Sequence, residues 1–292
     1  MVTIQTVSDK SIHQPLGQQK YVAKMIEVQR GAVGTTDMGR KTAAFWRMEN
    51  LSSTFLKNAK PGESLRDPYL PIEIRPISHC GMGIAAVEVA SFQASRIVEV
   101  IESFSNPEYR LFAYEGSGAM LALYEPDMFH IGTRGFAFLG LLPLAALRRP
   151  DKEKFVQFFE PEIQRLIAHG YGRMLYFKSH SIASAIRAAQ KTTSLQLHAC
   201  IQGVAFAYSM VNNSDLGRVF RAGFNLKETA VGPAFRDGLI YALEFWEWMA
   251  PGFLPGFRPH TEFESELIQA ASEEIARCRA EGPLAPFLVV HH

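Results

Sequence analysis

The stretch Phe112-Ala-Tyr-Glu-Gly-Ser-Gly-Ala-Met-Leu-Ala-Leu-Tyr124 decides how the rest of the chain reads. Gly118 sits in the middle of an apolar run, with small and aromatic residues after it and Glu115 three places before it. The pattern recurs. Gly83 opens GIAAVEV, Gly118 opens GAMLALY, Gly135 opens GFAFLGL, Gly172 opens GRMLYFK, Gly203 opens GVAFAYS and Gly238 opens GLIYALE. The steps between them are 35, 17, 37, 31 and 35 residues, mostly the size of a helical hairpin. A glycine inside a helix costs about 1 kcal/mol against alanine. A glycine repeated in this way therefore implies a compensation. Close approach of neighbouring helix backbones is the first reading, and room for something bound is the second.

Working outward, apolar glycine-centred segments alternate with charged amphipathic ones. Ile77 to Phe92, Glu108 to Tyr124, Phe129 to Leu147, Tyr171 to Phe177, Ser194 to Val211 and Pro233 to Met249 carry the glycines. Ser95 to Phe104, with Ile97, Val98 and Ile101 on one face and Arg96, Glu99 and Glu102 on the other, is a solvent-facing helix, as are Ser181 to Gln190 and Asp215 to Ala222. Asp151 reads as an N-cap for Lys152 to Phe159, Pro161 begins a further helix, and Glu262 to Ala280 is a charged last helix. The fold class expected is all-α: stacked hairpins with glycine-centred inner helices, as an α/α toroid or a solenoid. The alternative is α+β, because Arg110 to Tyr114 and Ile201 to Tyr208 hold aromatic and β-branched residues. No two-residue turn signal links such runs. Residues 1–76, with helical spacing over Lys20 to Gln29 and Thr42 to Lys57 and a proline-broken linker from Lys60 to Pro76, form an N-terminal lead-in that packs on a helical-repeat domain over 77–280. Residues 281–292 are a C-terminal tail.

Composition narrows the classes of function. With 47% hydrophobic and 20% charged residues the 292-residue chain reads as an ordinary globular protein able to bury a large core. A net charge of +1 supplies no global field to recruit nucleic acid or an anionic membrane. Cys80, Cys200 and Cys278 are far apart and form no CxxC pair, which points to a reducing compartment. The N-terminus is polar with no apolar signal core, and the longest apolar run, Phe136 to Leu147, is too short to span a bilayer and contains Pro143. A soluble, cytoplasmic protein is expected.

No sharp catalytic motif is present: no Walker A loop, GxSxG, HExxH or dinucleotide fingerprint. Gly81-Met-Gly83 and Gly116-Ser-Gly118 resemble fragments of phosphate loops, but both continue into apolar helices. The polar residues ahead of the repeated glycines carry more: His79, Glu115, His130 and Arg134, His169, His198, and Arg236 with Asp237. Stacked repeats would gather such side chains on one wall of a groove. Glu115 is the leading acid–base candidate, since burial in an apolar segment raises a carboxyl pKa; pairing with Arg110 or Arg173 is the bland alternative. His169 is the second candidate, and His79, His198 and Asp237 follow. Each of these equally suits a helix cap. No i,i+4 ligand pair occurs, so no metal and no cofactor is expected. Tyr114, Phe136, Phe138, Tyr171, Tyr176, Phe206, Tyr208 and Tyr241 are candidates to line an apolar pocket. Glu244 with Trp246 and Trp248 reads as a packing edge.

The order Ala113-Tyr-Glu-Gly-Ser-Gly-Ala-Met120, His169-Gly-Tyr-Gly-Arg-Met-Leu-Tyr-Phe177, Gln202-Gly-Val-Ala-Phe-Ala-Tyr208, Ala222-Gly223 and Asp237-Gly238 resembles a domain-of-unknown-function family encoded beside polyketide synthases in enediyne biosynthesis clusters. The similar order covers Gly81 to Phe245. The resemblance implies a role in natural-product assembly on a hydrophobic intermediate and implies no particular catalytic residues. The expectation is therefore a cofactor-free enzyme with an aromatic-lined cavity, cyclising or isomerising a polyketide, polyene or isoprenoid-like intermediate. The alternative is a non-catalytic helical scaffold that docks a synthase or carrier protein. A metal-dependent enzyme using the histidines is a weaker third. The partners expected are a hydrophobic small molecule and a polyketide synthase or carrier protein, with a homodimer allowed and neither nucleic acid nor a membrane span.

Overall fold

The computed structural model describes residues 16–59, 69–124, 152–192 and 196–281. Among the described residues there are thirteen α-helices and no strand, as the all-α reading expects. Residues 110–114 and 201–208, the basis of the α+β alternative, both lie in helices. The segment around Gly135, with His130, Arg134, Phe136 and Phe138, lies outside the described residues.

In chain order the helices are α1 Leu16–Val33, α2 Met38–Asn58, α3 Arg75–Val89, α4 Ala94–Phe104, α5 Arg110–Leu123, α6 Lys152–Gln157, α7 Pro161–Ser179, α8 Ile182–Gln190, α9 Leu197–Val211, α10 Leu216–Leu226, α11 Gly232–Met249, α12 Phe253–Gly256 and α13 Glu262–Glu281. Local chemistry sets their starts. Asp37, Ser181 and Asp215 cap α2, α8 and α10 by accepting from the backbone N–H of Arg40, Ser184 and Arg218. Prolines occupy the first turns of α3, α7 and α11, where a missing N–H costs nothing. No breaker separates Pro161 from Tyr171, so the two segments expected there are one helix. α3 begins at Arg75, so the boundary expected at 76/77 falls inside a helix.

Six helices form a row in which each packs on the next: α2, α3, α5, α7, α9 and α11. α4, α8 and α10 lie outside and connect them, while α1 covers α2 and α13 covers α11. Neighbours in the row start side by side. His79 of α3 receives the Asn106 N–H just before α5, Tyr114 of α5 meets Phe159 just before α7, and Gln196 before α9 bonds Pro161 O of α7. They also end side by side, through Tyr124 to Glu88, Lys178 to Ala122 O and Asn212 to Tyr176. The row is curled. α2, at its beginning, meets the far members: Phe45 packs edge-on against Phe245 of α11 at 4.6 Å, and Asn213 after α9 bonds Met38 O and Thr42 Oγ1.

The glycines explain how closely the row packs. Residues two apart in a helix lie about 200° apart around its axis, so a GxG pair presents one glycine to each flanking helix. A Cβ on Gly116 would fall 1.9 Å from Cys80 O of α3, and one on Gly118 would fall 1.9 Å from Ile167 O of α7. Gly81 and Gly83 of α3 face Glu49 O and Ala113 O, and Gly170 and Gly172 of α7 face Glu115 O and Cys200 O, all at 2.0 Å or less. Gly203 of α9 faces His169 O at 2.0 Å. These glycines let backbone touch backbone, which resolves the two readings of the repeat in favour of packing. GMG and GSG are packing devices inside helices, not phosphate loops.

A buried cluster of charged side chains at the centre of the row

The same geometry fixes a register. In each helix of the row, the carbonyl that meets the next helix's glycine belongs to one residue: Glu49, Cys80, Glu115, His169 and Gln202 in turn, with Gly238 facing Gln202 O at 2.4 Å. The side chains at the first four of these positions, joined by Arg173 one turn after His169, form one buried hydrogen-bonded cluster.

Arg173 is its hub. Nη1 donates to Glu115 Oε1 at 2.7 Å and to Cys80 Sγ at 3.4 Å, and Nη2 donates to Glu49 Oε1 at 3.0 Å. The Cys80 thiol donates to Glu49 Oε1 at 3.0 Å. His169 Nδ1 lies 3.0 Å from Glu115 Oε1. All five residues are buried, Glu115 at 5% exposure and His169 at 0%. Burial works to raise the Glu115 pKa, but the Arg173 charge and then His169 outweigh it and hold the carboxyl at about 2. The expectation that burial would raise it is corrected here, because the bland pairing with Arg173 is present. Burial likewise acts against the Arg173 charge, and Glu49 and its neighbours restore it. Burial, reinforced by Glu49, pushes the Cys80 thiol well up.

An ionised carboxylate only accepts hydrogen bonds. The proton of the His169–Glu115 bond therefore sits on Nδ1, and in the neutral ring Nε2 carries a lone pair. Nε2 is buried and has no hydrogen-bond partner. The imidazole packs against Phe206 at 5.7 Å and edge-on against Tyr241 at 5.3 Å.

Beside the cluster lies a cavity of about 20 Å³. Glu115, Arg173, Cys80 and Tyr241 supply its polar wall, and aromatic rings from α2, α5, α9 and α11 (Phe45, Phe112, Phe206 and Phe245) supply most of the rest. That is room for about one water. Burial, then the Glu115 charge, pushes the Tyr241 phenol well up.

The remaining expected site residues lie elsewhere. His79 is fully buried on α3 with Nδ1 on Arg75 O and Nε2 receiving the Asn106 N–H, which assigns the ring proton to Nδ1 and spends both nitrogens on backbone; burial lowers its pKa to about 4. His198 and Asp237 meet at 2.9 Å on the surface, 57% and 39% exposed. Of the expected aromatic lining, Phe206 and Tyr241 face the cavity. Tyr114 packs on Phe159, the Tyr171 hydroxyl receives Lys152 Nζ, the Tyr176 hydroxyl receives Asn212, and Tyr208 donates to Arg218 O. Among the described residues no group of three His, Cys, Asp or Glu side chains could hold a metal ion, and no helix is long and apolar enough to cross a membrane.

Glu49, Cys80 and Arg173 were not among the expected site residues. Cys80 shares the signal of Glu115 and His169, since each stands immediately before the first glycine of a GxG pair. Arg173 follows the second glycine of its pair. Glu49 carries no such signal, because α2 has no glycine at that height.

A second buried carboxyl offers a contrast. Glu244 of α11 is 1% exposed, and neither oxygen has a hydrogen-bond partner. Burial, reinforced by Glu274 of α13 and opposed by Arg277, raises its pKa to about 9.

Compared with known protein families, curated proteins and solved structures, the chain matches none.

Proposed function

We propose that the cluster is the active centre of a cofactor-free enzyme that cyclises or isomerises a hydrophobic polyketide, polyene or isoprenoid-like intermediate by proton transfer. The observation that carries this reading is the state of His169. A buried carboxylate accepts from its Nδ1–H, and Nε2, which in the neutral ring carries a lone pair, is buried without a hydrogen-bond partner behind two aromatic residues that wall a cavity. This is the arrangement of a general base oriented by a carboxylate. Glu115 orients the ring and balances the charge the imidazole gains. Arg173 keeps Glu115 ionised. The aromatic wall supplies the apolar surface that a hydrophobic intermediate needs. Since the void holds about one water, substrate enters by displacing rings such as Phe206 and Phe245. The short-motif resemblance to the enediyne-cluster family agrees with a natural-product role.

One observation favours a second reading. The void is small and Arg173 bonds Glu49, Cys80 and Glu115, which suits a non-catalytic scaffold that docks a synthase or carrier protein and uses the cluster only to pin its helices together.

The test is thermal melting of the parent and of His169→Asn with a panel of polyketide, polyene and isoprenoid ligands, followed by incubation in D2O. Asn keeps a donor toward Glu115 and removes Nε2. The enzyme reading expects ligand-raised melting in both proteins and deuterium-labelled isomers from the parent alone. The scaffold reading takes over where no ligand raises melting or is altered by either protein.

A further inference from the structure

The proton inventory of the cavity narrows the substrate. This step rests on the acid–base reading above. A reaction begun by protonating a carbon–carbon double bond needs a strong acid beside the alkene. Among the described residues that line this cavity there is none. Glu115 receives both Arg173 Nη1 and His169 Nδ1, so it stands as an anion with no proton to give. The Cys80 thiol is a weak acid, and its proton is committed to Glu49 Oε1. Arg173 donates hydrogen bonds but does not release protons. Among the described residues the remaining donor on the wall is the Tyr241 phenol, also a weak acid, with the Glu115 charge nearby. Behind that wall lies His169, whose Nε2 is buried without a hydrogen-bond partner and whose ring packs on Phe206 and, edge-on at 5.3 Å, on Tyr241. In the neutral ring that nitrogen is a base, and a substrate that displaces Phe206 reaches it together with the Tyr241 phenol.

A base and a hydrogen-bond donor without a strong acid are the tools for removing a proton from carbon next to a carbonyl. The donor meets the oxygen on which charge develops. We infer that the substrate is an enolisable carbonyl compound of the polyketide type, not a hydrocarbon polyene, and that His169 and Tyr241 act on it as a pair. His169 Nε2 takes the proton from the carbon adjacent to the carbonyl. The C–H electron pair becomes the carbon–carbon double bond of the enolate, and the carbonyl π pair moves to oxygen, where the Tyr241 hydroxyl donates a hydrogen bond. The imidazolium, held against Glu115, exchanges that proton with solvent and delivers one to a different carbon of the conjugated enolate. The oxygen pair reforms the carbonyl, and the product is an isomer with its double bond shifted. No oxidant, reductant or co-reactant enters. Tyr241 is thereby a catalytic residue and not only an apolar wall.

The probes are cyclohex-3-en-1-one, whose double bond moves into conjugation by this step, and farnesol, a polyene alcohol with no carbonyl. Each is incubated with the full chain in D2O and followed by proton NMR. The expected result is conversion of the enone to cyclohex-2-en-1-one with deuterium gained at carbon, and no change in farnesol. His169→Asn is expected to lose about 100- to 10,000-fold in rate. Tyr241→Phe, which keeps the ring and its packing, is expected to lose about 100- to 1,000-fold in kcat with KM little changed. Circular dichroism of both variants confirms that they fold. Turnover of farnesol but not of the enone overturns the substrate class and leaves the acid–base enzyme standing. Enone turnover that Tyr241→Phe leaves at the parent rate overturns the pair. Turnover of neither probe overturns both this inference and the reading beneath it.

Discussion

Glu115 and Glu244 are the same residue type, equally hidden, on two helices of one row, and they stand in opposite charge states. Glu115 is held ionised, at about 2, and Glu244 is held neutral, at about 9. Both are buried, so burial alone is not what separates them. Glu115 has a guanidinium at 2.7 Å and an imidazole N–H at 3.0 Å. Glu244 has no hydrogen-bond partner, and a second carboxylate, Glu274, lies on the helix packed over it. The lesson is that the partner atom within reach decides what a buried carboxyl does in this fold, and that the centre of the row was supplied with partners while the seam between α11 and α13 was not.

The largest test of that contrast removes the hub. Arg173→Met leaves Glu49 and Glu115 buried without their cation, and a broken buried pair costs about 3–5 kcal/mol. Urea unfolding should show a loss of that size, and a loss under 1 kcal/mol would mean that the carboxylates do not depend on Arg173. Next in size is the effect of pH, which should run in opposite directions for the two sites. The Glu115 pKa falls from its ordinary 4.5 to about 2 on folding, so its stabilisation is present above pH 4.5 and is lost as pH falls toward 2. The Glu244 pKa rises from 4.5 to about 9, so between those values the unfolded chain has released a proton that the folded chain keeps. Its contribution is full below pH 4.5 and declines up to pH 9. Glu115→Gln should flatten the acid limb of stability against pH, and Glu244→Gln should flatten the neutral-to-alkaline limb; a single variant that flattens both would erase the distinction. The smallest effect concerns the second cause at Glu244. Glu274→Gln should bring its titration down by a fraction of a unit, measured by carboxyl NMR, and an upward movement would contradict the repulsion.

Much of the architecture could be read from the chain because helix-forming patterns and glycine punctuation are local. The repeated glycines gave the inner helices and, through the expectation of close approach, the reason for them. The GxG pairs were visible at Gly81/Gly83 and Gly116/Gly118, but their two-sided use is a property of helix rotation combined with two neighbours, so it emerges only in the packed row. At the site, Glu115 and His169 were legible as polar residues in apolar runs. His79 and His198 were selected by the same rule and fell outside, because the rule allowed the polar residue to stand anywhere from one to five places before the glycine, and only one of those places faces inward. Glu49 was illegible. Its partner Arg173 is 124 positions away, and nothing along α2 announces that distance. The pKa direction at Glu115 failed for the same reason: burial can be read from one segment, while the cation that overrules it arrives from another.

The common direction of the inner helices has an electrical consequence. Each peptide unit is a dipole, and a helix adds its units into partial charges of about half a unit at its two ends, positive at the start. α3, α5, α7, α9 and α11 begin at one end of the molecule, so these charges add. The helices that lead from the end of one inner helix to the start of the next, α4, α8 and α10, are 11, 9 and 11 residues long, against 14 to 19 for those five inner ones, and cancel only part of the sum. The sequence answers at the negative end, where Lys178 donates to Ala122 O in the last turn of α5. These five inner helices, with α4, α8 and α10 between them, are thus polarised along their common axis although the net charge of the chain is only +1.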